Sequence, residues 1–157
     1  MNTLDYFDKE ILKELQKDST ISNANLAKNI GLSPSACLAR TKQLNDRGII
    51  KAYVTELDES KLGFEITAIV LVNLSPLNRE NIHSFLESVE KYPQIQECYT
   101  LTGNYDYMLK IIAKNMEDYH NFIIDSLMHN NAISGVETNL IMNTEKRTTN
   151  IPIDDLD

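Results

Sequence analysis

Four basic side chains, Lys28, Arg40, Lys42 and Arg47, crowd a stretch in which acidic residues are almost absent. From residue 20 to residue 54 the chain carries five Lys/Arg against one acidic residue, Asp46, a balance of +4 within a 157-residue chain whose net charge is −8. Such a window offers ionic chemistry: ammonium and guanidinium groups that neutralise phosphates and release their counterions. Small and polar residues lie among the cations, namely Ser22, Asn23, Ser33, Ser35, Ala36, Ala39 and Gln43. On one helix face, Arg40 and Gln43 have the reach and donors to address base edges, and Lys28, Lys42 and Arg47 suit phosphates. Duplex DNA is the partner this set would fit.

Covalent chemistry finds no comparable set. His83, His120 and His129 show no metal-ligand spacing, and Cys37 and Cys98 lie far apart in apolar contexts. There is no Gly-rich phosphate loop and no local Ser/His/Asp or Cys/His signature. The expectation is a protein that is not an enzyme and needs no metal or cofactor. Two small reduced thiols suggest a cytoplasmic location. No run approaches the roughly 20 apolar residues needed to span a bilayer, so no membrane partner is expected. A start without a basic region and apolar run gives no signal peptide.

A second set could hold a small ligand. Around Gly103, backbone N–H groups can approach a carboxylate, and Asp106 could face an ammonium. Leu101, Tyr105, Met116 and Thr138 are candidate walls of a site for a free amino acid, and Thr102 and Asn104 complete its loop. The competing reading of Gly103-Asn104 is an ordinary two-residue type II′ hairpin turn.

The elements that position these residues follow from period and punctuation. Leu4, Ile11, Leu12 and Leu15 share one face of a helix over about Asp5–Lys17. Ser22 caps a short helix to Ile30, and Gly31 ends it in left-handed conformation. Ser33-Pro34 starts a third helix to about Arg47, with Cys37, Leu38, Thr41 and Leu44 inward and Ser35, Ala36, Ala39, Arg40, Gln43 and Arg47 outward. Ile49–Leu57 alternates as a strand or small wing. A compositional change near residue 61 divides the chain into a winged helix-turn-helix with a strand linker (1–61) and a second domain (62–157). The second domain reads strand, helix, strand, strand, helix, strand, at about Glu65–Leu74, Asn78–Tyr92, Ile95–Leu101, Tyr105–Ala113, Met116–Asn130 and Val136–Met142. That βαββαβ order predicts a ferredoxin-like sandwich and an α+β fold. The polar tail from Asn143 to Asp157 is expected to be mobile.

The run Leu4-Asp5…Asp8…Ile11-Leu12…Leu26-Ala27…Gly31-Leu32-Ser33-Pro34…Cys37-Leu38…Arg40…Leu44…Gly48-Ile49-Ile50 resembles the Lrp/AsnC ("feast/famine") regulators. Ile95-Gln96-Glu97-Cys98 and Thr102-Gly103-Asn104-Tyr105-Asp106-Tyr107 resemble their effector domain, especially the leucine-responsive branch. The resemblance covers about residues 4 to 147. It implies a transcription regulator that pairs through its sandwich sheets, assembles as a tetramer of dimers on pseudo-palindromic DNA, and binds an amino-acid effector between dimers near Gly103–Asp106. Two positions depart from the family pattern. Arg40-Thr41-Lys42-Gln43 stands where close relatives often have Arg-x-Arg-Arg, which predicts a shallower salt dependence by about one unit of slope per lost phosphate contact. Asn104 stands where many members have Asp. An alternative is therefore an architectural protein that wraps DNA and ignores small molecules.

Overall fold

The computed structural model describes residues 4–155, so Leu156 and Asp157 of the expected mobile tail lie outside the described residues. The chain divides into two compact units, one formed by residues up to Glu56 with those from Lys146 on, the other by Leu57–Glu145.

Three helices build the first unit: α1 (Tyr6–Lys17), α2 (Asn23–Ile30) and α3 (Pro34–Asp46). Each start is set by a side chain that accepts a free backbone N–H. Ser22 accepts from Asn25, Ser33 accepts from Ala36, and Pro34 opens α3. Gly31 closes α2 at φ 74°, where a side chain would be strained. Ile11, Leu12, Leu26, Ala27, Cys37 and Leu44 form the core between the helices. Burial raises the Cys37 thiol's pKa, which marks it as an unreactive packing group.

α1 begins with a reciprocal pair of carboxylates. Asp5 accepts the Asp8 N–H at 2.9 Å, and Asp8 accepts the Asp5 N–H at 3.4 Å. Arg40, from the middle of α3, donates through Nη1 to Asp5 Oδ2 at 2.7 Å and to Asp8 Oδ1 at 2.9 Å. Its Cζ stands 5.5 Å from the centre of the Phe7 ring. Asp8 is 7% exposed, so Arg40 neutralises a carboxylate that water cannot reach well.

The tail departs from expectation. Lys146 onward belongs with the helices rather than with the second domain, and its last described turn, Ile153–Asp155, packs on α1. Ile153 is 6% exposed within the helical core. The Ile151 N–H donates to Gln16 Oε1 at 2.6 Å and Gln16 Nε2 returns a bond to the Ile151 carbonyl at 3.2 Å. Asp154 pairs with Lys13. One isoleucine amid polar residues is enough to anchor the segment, which a compositional reading overlooks. The expected strand over Ile49–Leu57 is also absent: residues 51–58 have no regular structure, and Tyr53, Val54 and Leu57 are exposed. Alternation alone cannot make a strand without a neighbour to bond.

The second unit is the predicted ferredoxin-like sandwich, entered through the turn Ser60–Leu62. Its strands are β1 (Ile66–Leu74), β2 (Ile95–Thr100), β3 (Tyr107–Ala113) and β4 (Ile133–Leu140), and its helices are α4 (Arg79–Lys91) and α5 (Met116–Asn121). The sheet is antiparallel in the order β2-β3-β1-β4. β4 starts three residues before its expected position because Leu74 pairs with Ile133. α5 passes into a wider π turn over Phe122–Leu127, closed by the Met128 N–H on the Ile123 carbonyl at 2.9 Å. Val70, Val72, Leu109 and Ile111 point to the helices and pack on Phe85, Phe122 and Leu127. The alternate residues Ile69, Leu71, Met108 and Lys110 form the opposite, partly exposed face.

Two outcomes are expected for the first unit. Arg40→Ala costs about 2 kcal/mol in denaturant unfolding, chiefly by leaving Asp8 unpaired. The Asp5 carboxyl is held below its usual pKa by the Asp8 N–H and then by Arg40. A depressed carboxylate stabilises the folded state above its unfolded pKa, so its part of the Arg40→Ala deficit is full at pH 7 and narrows below about pH 4. Ile153→Ala costs about 2 kcal/mol in the same measurement, because it opens the α1 side of the core; a mobile tail would give no change.

Candidate functional site

The turn between α2 and α3 is the geometry of a DNA-reading helix pair. Asn23 Nδ2 donates to the Pro34 carbonyl at 2.8 Å, tying the start of α2 to the start of α3. The Leu32 N–H returns to the Ala27 carbonyl at 2.9 Å around Gly31. Ser22 and Ser33, expected to touch DNA, use their hydroxyls as helix caps. Ser33 Oγ also lies 3.2 Å from Ser35 Oγ. The N-terminus of α3 therefore presents ordered N–H groups with hydroxyls around them, a setting that favours a phosphate oxygen.

Along α3 the outer face consists of Ser35, Leu38, Ala39, Lys42 and Gln43, all exposed, with Lys28 exposed on α2. Ala36 and Arg47 are half-buried on the flank. Two assignments change. Arg40, expected outward as a base reader, turns toward α1 and is held by Asp5 and Asp8. Leu38, expected inward, is 59% exposed. Both follow from the inward direction of α3: Cys37 and Leu44 define it, and at 100° per residue Arg40 falls beside it and Leu38 well away. Of the five cations in the basic window, Arg40 is neutralised within the fold by Asp5 and Asp8, and Lys28, Lys42 and Lys51 are exposed.

The second candidate set lies on the connection between β2 and β3. It is a six-residue loop, Leu101 to Asp106, and not a two-residue type II′ turn. The Leu101 N–H bonds the Asp106 carbonyl at 2.8 Å across its base, and Gly103 takes φ 117° at its tip. Asp106 fastens the loop to the end of β1. Its N–H donates to the Val72 carbonyl at 3.0 Å, and its Oδ2 accepts the Leu74 N–H at 2.8 Å. One carboxylate oxygen is thereby committed to structure.

Thr102, Gly103 and Asn104 are exposed, and Leu101, Tyr105 and Asp106 are half-buried. The Tyr105 hydroxyl donates to Glu137 of β4, which holds the Glu137 carboxyl below its usual pKa. The remaining two residues lie elsewhere in the chain. Met116, 49% exposed, begins α5 beyond the far end of β3, a strand of about 20 Å. Thr138 faces the helices and bonds the Tyr119 hydroxyl at 2.7 Å. Two cavities, of about 410 and 380 Å³, contain none of the eight expected effector residues. A single chain thus does not gather this set into one pocket.

Four residues at these candidate sites escaped the sequence reading. Asp5 and Asp8 carry a capping signal, an acidic residue three places before another, which read only as a helix start. Leu38 was misplaced by a single step of helical phase. Glu137 reaches Tyr105 only through the β1–β4 pairing, for which no local signal exists.

Known proteins match this arrangement over nearly all of the chain. Residues 67–151 match the Lrp/AsnC ligand binding domain, and residues 4–51 match a winged helix-turn-helix DNA-binding family. The transcriptional regulator AzlB of Bacillus subtilis (strain 168) is 67% identical over 153 residues, covering 98% of each chain. The leucine-responsive regulatory protein of Escherichia coli (strain K12) is 33% identical over 96% of this chain and 92% of that protein. A transcriptional regulator from Neisseria meningitidis, solved as its L-Met complex, superposes with a TM-score of 0.93 at 31% identity, covering 97% of this chain and 98% of that one. With its helix-turn-helix and ligand-binding sandwich, the chain belongs to the Lrp/AsnC family and is a transcriptional regulator of that type.

Proposed function

We propose that the protein is a cytoplasmic, sequence-specific DNA-binding regulator whose activity is set by a free amino acid bound between subunits. The observation that carries the inter-subunit part is the separation of the effector residues. The Leu101–Asp106 loop lies at one end of β3 and Met116 beyond the other. Assembly of at least two chains would bring a loop from one against the Met116 region of another. The partly exposed sheet face with Ile69, Leu71 and Met108, flanked by exposed Tyr99, supports pairing of two copies into a dimer. Such a dimer would address pseudo-palindromic DNA at half-sites one or more helical turns apart, and dimers would join as a tetramer of dimers.

An amino-acid ligand suits the loop. Gly103 exposes backbone N–H groups to a carboxylate, and the Asp106 oxygen not used by Leu74 can accept from an ammonium. L-Met in the Neisseria relative supports the ligand class. The architectural reading draws support from the same loop, because Asp106 already serves the fold and Asn104 adds no charge.

Two measurements test the proposal. In a thermal-shift panel of the twenty amino acids, at least one stabilises the protein, by about 2.7 kcal/mol at a hundred times its Kd. Asp106→Asn removes that shift, and no shift with any amino acid at millimolar concentration would favour the architectural reading. For DNA, Lys42→Ala reduces the slope of log affinity against log salt by about one unit per bound subunit, read by fluorescence anisotropy. Arg40→Ala leaves that slope unchanged, because its charge is already neutralised by Asp5 and Asp8.

A further inference from the structure

From the outer face of α3 we infer that Leu38 is a specificity residue that reads the C5-methyl group of a thymine in the major groove. The inference rests on the DNA-binding reading above and adds to it the base and the chemistry of the contact. Leu38 is 59% exposed, although it stands one residue from the fully buried Cys37. On the helix surface its neighbours are Ser35, three residues before, and Lys42, four residues after, both exposed. Ala39 lies beside it with only a methyl group, and Ser35 is also short, so on that side Leu38 stands clear of its neighbours. An exposed leucine elsewhere on a surface would need no explanation. This one lies along α3 between Ser35 and Lys42, at the side of the face that would enter DNA.

Leucine has no donor or acceptor. Among the groups exposed in the major groove, the thymine methyl is the one whose burial it rewards; amino groups, ring nitrogens and carbonyls would lose water against it. The alternative reader on this helix is removed by the fold. Arg40, the side chain best shaped to grip a guanine, is fixed by Asp5 at 2.7 Å and Asp8 at 2.9 Å on the α1 side. Lys42 then supplies charge, Ser35 and Gln43 supply hydrogen bonds, and Leu38 supplies apolar contact. Each half-site should therefore contain at least one thymine whose methyl group, and not its pairing edge, is recognised.

The test uses the full-length protein and a duplex recovered by selection from genomic fragments. Thymines are replaced one at a time by uracil, which pairs identically and lacks the methyl group. The parent should lose about fourfold in affinity at one thymine per half-site, the scale of one buried methyl contact. Leu38→Ala should bind the thymine duplex several-fold more weakly, become indifferent to uracil at that position, and keep the parent's salt slope. Leu38→Met, which preserves apolar reach, should keep the uracil sensitivity; it also serves if the alanine variant folds poorly. Equal uracil sensitivity in the parent and Leu38→Ala at every position would overturn the inference, as would a parent indifferent to every thymine methyl. Failure of the parent to select any duplex would instead overturn the DNA-binding reading, and the Leu38 assignment with it.

Discussion

The guanidinium of Arg40 joins the start of α1 to the middle of α3, and it does so through the two carboxylates that also cap α1. Asp5 and Asp8 exchange bonds with each other's backbone, so neither can move without fraying the first turn of the helix. Arg40 fills their remaining oxygens, and Phe7 lies 5.5 Å from its Cζ. The rotation of α3 about its own axis is then settled by two constraints, the apolar pair Cys37 and Leu44 below and the ionic contact at the side. Everything exposed for DNA follows from that rotation. With Arg40 turned toward α1, Lys42 stands on the outer face, and Leu38 comes to the surface.

Helix starts and stops were legible in the sequence because they are local. Ser22, Gly31, Ser33-Pro34 and Asn78 act within a turn of themselves, and the structure places the ends of α1 to α4 within a residue or two of the expected positions. The helix expected over Met116–Asn130, by contrast, gives way to a π turn after Asn121 that ends at Leu127. Helical phase was less legible. Leucine at position 38 reads as core by type, and arginine at position 40 reads as surface. The partner that reverses both, the Asp5–Asp8 pair, lies more than thirty residues away. Composition likewise misjudged the tail, where Ile153 and the paired amides of Gln16 and Ile151 outweigh the surrounding polarity. The strand expected at Ile49–Leu57 failed for the complementary reason: its pattern was sound, but no neighbouring strand among the described residues supplies bonds.

The sandwich shows the same division between local and distant information. Its βαββαβ order could be read because period and turn residues alternate along the chain. The candidate loop between β2 and β3 could be placed in the chain but not shaped, since Gly103-Asn104 reads as a tight turn. The longer loop exists because Asp106 bonds backwards to Leu74 and Val72, pulling the base of the loop against β1. Those bonds are made across the β1–β3 pairing, so the loop's form depends on a sheet assembled from segments thirty residues apart.

The two commitments, Arg40 to α1 and Asp106 to β1, bear on function in the same direction. Each takes the side chain with the most obvious chemistry in its region and uses it, in whole or in part, to fix backbone. What remains exposed for recognition is comparatively plain: a leucine, a lysine and small polar groups on α3, and backbone with one carboxylate oxygen on the loop. Weak individual contacts of this kind give useful discrimination only when several are required together. On the proposed reading the burden of specificity falls on assembly, where repeated half-sites would multiply modest base preferences and a second chain would complete the ligand site. An oligomeric regulator can then couple the two, because a ligand that stabilises one arrangement of subunits also selects the spacing at which their α3 helices meet DNA.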